Sequence, residues 1–337
     1  MAITAKELAK KMGLSETAIS MALNNKPGVS TKTRQDVLKL AEQLGYDFSK
    51  IKNNDTNGTI CVISYKTNNA ILSYSPIFEE LYDGINTESI HNNFKVKFIN
   101  FYEKTDVLED CFADIRLSDC IGIVLIGTEI RQNVCKQFIQ LGYPIVLLDT
   151  YFDSIDCTSV VINNIQGAYC ATDYLISLRN SQPGYLKSSY MIPNFQDRFD
   201  GYTKAIKENG MSPSRSIIHV LSPTIENAMS DMLEIIDRGD SLASSYFADN
   251  DIIAIGAIKA LKLRGYKVPE EISVIGFDNI SEARIIEPAL TTMDVPRFYI
   301  GQTAAKALIS QIKHTIIHAS KIEISTQMIK RSSHRKL

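Results

Sequence analysis

Apolar positions along this chain follow two rhythms, and the change between them divides it. Over the first 46 residues they recur every three or four positions, which predicts short amphipathic helices. Leu8, Ala9 and Met12 share a face of the first, and Thr4 with Glu7 has the T-x-x-E spacing that satisfies free N–H groups at a helix start. Gly13 stops that helix, and Leu14 plugs the turn. Ser15 then caps a second helix whose buried stripe is Ala18, Ile19, Ala22 and Leu23. Beyond Lys26-Pro27-Gly28, Ser30 or Thr31 caps a third helix with Val37, Leu38, Ala41 and Leu44 inside and Gly45 at its end.

From Thr59 the rhythm becomes strand, helix, strand. Strand-like runs are expected at Ile60–Ser64, Val96–Phe101, Ile121–Ile126, Ile145–Leu148, Ser159–Ile162, Gly184–Ser189, Ile217–Leu221, Ser244–Ala248 and Ile272–Phe277. Helix-length patterns such as Pro76–His91, Ile165–Leu178 and Asn250–Arg264 separate them. This alternation implies parallel sheets flanked by helices, an α/β class. Two open sheets of about five or six strands suit the length better than one very large sheet. Ligands in such sheets bind at the carboxyl ends of the strands, so a cleft between two sheets is the default site.

Three helices alone suit a protein-docking bundle as well as a helix-turn-helix, and the polar face decides between them. Ser15, Glu16, Thr17, Ser20 and Asn24 are short hydrogen-bonding side chains on and around the exposed side of the second helix, a set suited to phosphates and base edges. Residues 1–57 hold nine Lys or Arg and six Asp or Glu, a net +3; the whole chain is −2, so the remainder is −5. A basic head on an acidic body fits nucleic-acid contact through the head alone.

The remaining composition mostly excludes. No apolar run approaches the ~20 residues that span a bilayer, and Lys6, Glu7, Lys10 and Lys11 interrupt any signal-peptide core, so a cytoplasmic protein is expected. Six scattered cysteines without a C-x-x-C pair suggest reduced thiols and no zinc site. Gly122 and Gly127 are spaced as in a phosphate loop, but its lysine is missing. No nucleophile elbow is present, and His314 and His318 have no carboxylate between them. No catalytic residue, metal or cofactor is expected.

The residues from Ile3 to Ala9, Gly13 to Ser20, Leu23 to Ser30 and Leu44-Gly45-Tyr46 closely resemble the head of the lac repressor and galactose repressor family. In the second half, Phe247-Ala248-Asp249-Asn250-Asp251, the run Val268 to Asn279, Pro288 to Thr292 and Gln327 to Ser332 resemble the same family's body. The resemblance implies a three-helix helix-turn-helix head and a periplasmic-binding-protein-like body of two lobes. It divides the chain into a head (1–46), a linker (47–58) and an effector-binding and dimerisation body (59–337). One lobe is expected at 59–161 with 292–320, the other at 162–291 with 321–337.

By position, the resemblance gives base reading to Glu16, Thr17 and Met21, and further DNA contacts, mostly phosphates, to Thr4, Ser15, Ser20, Asn24, Ser30 and Thr33. It gives effector binding to Phe78, Arg198, Asn250 and Asp278. Each has its own chemistry: an aromatic face for a sugar ring, a guanidinium fork, a polar helix start, and a carboxylate for two hydroxyls. Each also has a plain structural alternative: a core phenylalanine, a local ion pair with Asp197 or Asp200, an N-cap, and a turn aspartate. Leu221 stands where the family often has a stacking aromatic.

The family's linker reads Y-x-P-N-x-x-A-R-x-L. Here Asp47 to Asn57 lacks its proline, its Ala-Arg pair and its leucine, and Ile51 is the only aliphatic residue, so an unstructured linker is expected. The implied protein is a homodimeric transcriptional regulator that binds operator DNA and a small polar effector, a sugar or sugar phosphate. A protein corepressor in place of the ligand, or a sugar-acting enzyme with a DNA-binding head, are the alternatives.

Overall fold

The computed structural model describes residues 3–24, 28–48, 56–67, 77–314 and 318–335. The chain falls into two compact units, Met1–Asn57 and Gly58–Leu337.

The first unit contains α1 (Ala5–Met12), α2 (Glu16–Leu23) and α3 (Thr31–Gln43), each started by a side-chain cap. Leu8, Ala9, Ile19, Ala22, Leu23, Val37, Leu38 and Ala41 are its buried apolar residues. Gly13 ends α1 in the left-handed conformation at φ 64°, where a side chain would be strained. Of the expected linker, residues 49–55, Ile51 among them, lie outside the described residues.

The second unit is built on two six-stranded sheets. The chain runs first through β1 (Thr59–Lys66), α4 (Ile77–His91), β2 (Lys95–Tyr102), α5 (Leu108–Arg116), β3 (Cys120–Ile126), α6 (Gln132–Ile139), β4 (Ile145–Leu148) and β5 (Thr158–Ile162). It then crosses to α7 (Asn164–Arg179), β6 (Gly184–Ser188), α8 (Pro193–Glu208), β7 (Ile218–Leu221), α9 (Ile225–Asp237), β8 (Ser245–Ala248), α10 (Asp251–Leu263), β9 (Ser273–Asp278), α11 (Glu282–Ile285) and β10 (Thr291–Asp294). It returns as α12 (Arg297–Ile312) and β11 (Lys321–Ile324), and crosses last to β12 (Gln327–Ile329). The strand orders are β11-β5-β4-β3-β1-β2 and β12-β10-β9-β8-β6-β7. Every pairing is parallel except β10 with β12.

The division into lobes differs from expectation at its last two crossings. Thr291–Asp294 pairs with β9 and so stays in the second lobe, while Lys321–Ile324 pairs with β5 and belongs to the first. These strands are three or four residues long, too short for an alternation to register in sequence. The return of α12 to the first lobe has a local cause. A Cβ on Gly84 would lie 2.1 Å from the carbonyl oxygen of Phe298, and one on Gly301 2.1 Å from that of Leu81. Two glycines thus let α4 and α12 pack backbone to backbone.

Candidate functional site

In the head, the polar residues divide into caps and exposed groups. Thr4 and Glu7 form a complete capping box, with the Thr4 N–H donating to Glu7 Oε2 at 2.7 Å and the Glu7 N–H to Thr4 Oγ1 at 3.3 Å. Ser15 Oγ accepts from the Ala18 N–H at 3.1 Å, and Ser30 Oγ from the Thr33 N–H at 3.1 Å. Asn24 Nδ2 donates back to the Ser20 carbonyl at 2.8 Å. Glu16, Thr17 and Ser20 are exposed along α2. Met21 is half-buried, and its sulfur lies 3.1 Å from where a Cβ on Gly28 would sit. Gly28, at φ 114°, therefore gives room to the side chain at the expected base-reading position.

In the body, Phe78, Arg198, Asn250 and Asp278, which are spread over 200 positions of sequence, line one cleft between the two sheets. Thr128, Asp149, Asn194, Phe195 and Arg297 line it with them, around a cavity of about 80 Å³. Four side chains follow the carboxyl ends of strands: Thr128 after β3, Asp149 after β4, Asn250 after β8 and Asp278 at the end of β9.

Arg198, on α8, is 3% exposed and fully engaged. Its Nε donates to Asn164 Oδ1 at 2.9 Å, Nη1 to the Asp249 carbonyl at 2.5 Å, and Nη2 to Asp278 Oδ1 at 3.2 Å. The guanidinium lies 3.7 Å from the centre of the Phe277 ring. Its ion pair is therefore with Asp278, eighty residues away, and neither Asp197 nor Asp200 supplies it. Asn250 does cap α10, its Oδ1 accepting from the Ile253 N–H at 3.0 Å, and it faces the cleft as well. Asp278 holds φ 107°, and Phe78 is half-buried at the start of α4. Leu221 is wholly buried in the second lobe's core and does not line the cleft.

The aspartates on either side of Asn250 fasten the floor. Asp249 accepts from the Tyr185 hydroxyl and from the Ser188 N–H at 2.6 Å, tying β8 to the end of β6. Asp251 accepts from Thr292 Oγ1 at 2.5 Å and the Ile280 N–H at 3.0 Å, tying α10 to the loop after β9 and to β10. Burial pushes Asp249 up to about 6, against the Ser188 and Tyr185 hydrogen bonds that favour its charge. Burial, then the negative charge of Asp278, pushes Asp251 up to about 8.

Asp149 is the main polar group of the first lobe in the cleft. It accepts from Thr128 Oγ1 at 2.6 Å and, across the cleft, from Asn194 Nδ2 at 2.9 Å. Burial raises its pKa despite both bonds. Sequence reading missed Asp149, Thr128, Asn194 and Arg297. The first two follow strand ends, as Asn250 and Asp278 do. Asn194 and Arg297 sit in the first turns of helices and carry no such mark.

Residues 4–48 match the family of bacterial regulatory proteins, lacI family, and residues 172–334 match the periplasmic binding protein-like domain. The regulator NtdR of the NTD biosynthesis operon of Bacillus subtilis is 30% identical over 98% of this chain and 99% of its own. The repressor CytR of Escherichia coli is 26% identical over 100% and 97%. In fold, the chain is similar to a cellobiose complex of the transcriptional regulator CelR, with TM-score 0.73 and 21% identity over 98% of this chain and 99% of that one. It is similar too to the lac repressor dimer bound to operator, with TM-score 0.70 and 18% identity over 99% of each. With its capped helix-turn-helix and its two-lobed body, the chain belongs to the lacI family of bacterial regulatory proteins and is a DNA-binding transcriptional regulator.

Proposed function

We propose that this protein is a homodimeric cytoplasmic repressor of carbohydrate-related genes, without enzymatic activity, released from or held on its operator by a small polyhydroxylated effector. The supporting observation is the convergence of Arg198, Asn250, Asp278 and Asp149 on one cleft between two lobes. Carboxylate oxygens accept from hydroxyls, the Asn250 amide adds polar contact, and Phe78 offers an aromatic wall.

The cavity of about 80 Å³ holds a few waters, well below the roughly 300–1,000 Å³ of ordinary ligand sites. The lobes must therefore part for a sugar to enter. The Asn194–Asp149 hydrogen bond spans the cleft, so an effector hydroxyl at Asp149 competes with Asn194 and changes how the lobes meet. Family resemblance and the cellobiose carried by one structural neighbour support a carbohydrate ligand.

In the head, Glu16, Thr17 and Met21 are the proposed base readers, and Thr4, Ser15, Ser20, Asn24, Ser30 and Thr33 position the backbone of the DNA. Titrating a carbohydrate panel by thermal shift identifies the ligand; saturation at 100 times Kd raises stability by about 2.7 kcal/mol. The same ligand must then change operator affinity. A stabilising ligand that Asp278→Asn leaves bound as tightly would overturn the site.

A further inference from the structure

Among the described residues two arginines line the cleft, and their charges are met unequally. Arg198 has a carboxylate at 3.2 Å and an oxygen acceptor on each of its nitrogens. Arg297, the first residue of α12, is 6% exposed. Its Nη2 donates to the main-chain oxygen of Asp278, which carries no formal charge. Its ion-pair partner is Glu80, 3.9 Å from Nη1 and 64% exposed, where water screens it. Its Nε is buried with no hydrogen-bond partner among the described residues. Other acids nearby are engaged: Asp278 with Arg198, Asp294 with Asn279 Nδ2 at 2.6 Å, and Asp251 with Thr292 and Ile280. A buried guanidinium whose ion-pair partner is distant and water-screened, and whose Nε–H has no acceptor, is costly unless something else completes it.

Room exists for that something. Arg297 forms part of the wall between the effector cleft and a second recess of about 380 Å³, lined by Asn279, Ser281, Arg284 and Ile285 among others. That recess adds a second arginine, Arg284, and among its lining residues no acid beyond Glu80.

We infer that the effector carries an anionic group, a phosphate ester or a carboxylate, and that Arg297 is the residue that selects it. The inference rests on the cleft being the effector site. The sugar hydroxyls occupy Asp149, Asn250 and Asp278, and the anion meets the planar fork of Arg297, whose unpaired Nε–H and Nη groups suit two oxygens. A neutral sugar would leave the Arg297 charge as unbalanced as before.

The test uses the full-length protein, with inorganic phosphate, glucose, glucose phosphate and glucuronate as probes at constant ionic strength. The Nε–H resonances of the arginines are followed by NMR. Phosphate should shift the Arg297 resonance saturably and leave that of Arg198 in place. Glucose phosphate or glucuronate should bind about tenfold or more tighter than glucose, the scale of one charge-assisted hydrogen bond. Arg297→Gln should erase that preference and Arg297→Lys restore part of it. Whichever anion binds tighter identifies phosphate or carboxylate as the natural group. No saturable shift at Arg297, with glucose binding as well as its phosphate, would overturn the inference while leaving the cleft reading intact. A phosphate response at Arg297 with no sugar dependence on Asp278 would keep the anion site and sink the carbohydrate reading. The wild-type resonance decides even if a variant fails to fold.

Discussion

The two lobes face the same cleft with unequal equipment. The second brings Asn250, which caps α10, with Arg198 and Asp278 locked together and to the buried Asp249. Asp251 ties α10 to the loop after β9 and to β10, and Asp249 ties β8 to β6. The first brings Phe78, Thr128 and Asp149, and Asp149 is held mainly by one hydroxyl on its own side and one amide from across the cleft. A rigid, charge-dense floor thus faces a lightly built cover. Such a pairing suits a switch: the floor fixes the ligand's orientation, and the cover moves at small cost.

The contrast breaks most visibly at Arg198. Arg198→Ala removes a buried cation that serves three acceptors, and should destabilise the body by about 3–5 kcal/mol in denaturant unfolding. A loss below about 1 kcal/mol would mean the floor is not locked through this residue.

A pH titration sharpens the same point. The folded chain keeps the Asp251 proton up to about pH 8, whereas an ordinary aspartate, at 3.8, releases it far earlier. Between those values the folded state binds the extra proton, so this group's contribution to stability falls as pH rises from about 4 to about 8. In Asp251→Asn the amide oxygen accepts from Ile280 and its N–H₂ donates to the Thr292 hydroxyl. That variant should fold and show a flatter stability profile across this window. An unchanged slope would place the proton elsewhere.

Smaller effects mark the head and the cover. Ser15→Ala loses the cap of α2 and should cost the head about 0.5–2 kcal/mol, seen as earlier melting and weaker operator binding. Asn194→Ala leaves the buried Asp149 one donor short, so it should cost about 1–3 kcal/mol in stability, yet speed effector association, because it removes the bond across the cleft. Stopped-flow binding checks this; a slower association would contradict the cover's role.

These regions also differ in how far sequence revealed them. The head's caps act within three residues, so Thr4, Ser15 and Ser30 could be read directly. The strand-helix alternation was equally plain, and all nine expected strands form within a few residues of their predicted bounds. Family resemblance pointed to Asn250 and Asp278, and their places at strand ends agreed with it. What stayed hidden was pairing at long range. Nothing near Arg198 in sequence shows that its partner is Asp278, while Asp197 and Asp200 offered nearer false ones. Arg297 shows its character only once α12 brings it to the cleft, whereas Asp149, directly after β4, carried the same strand-end mark as Asn250 and Asp278. The short β10 and β11 carried too few residues to show which lobe each joins, whereas β12 lies in the second lobe as expected.

The central claim is that the cleft governs the head. Fluorescence anisotropy of labelled operator, titrated with the full-length protein with and without the ligand found by thermal shift, tests it directly. Wild-type operator affinity should change by about 5–150-fold on saturation, a coupling of about 1–3 kcal/mol, and Asp278→Asn should require far more ligand for the same change. A ligand that fills the cleft, as judged by its dependence on Asp278, yet leaves operator affinity unchanged would contradict the account.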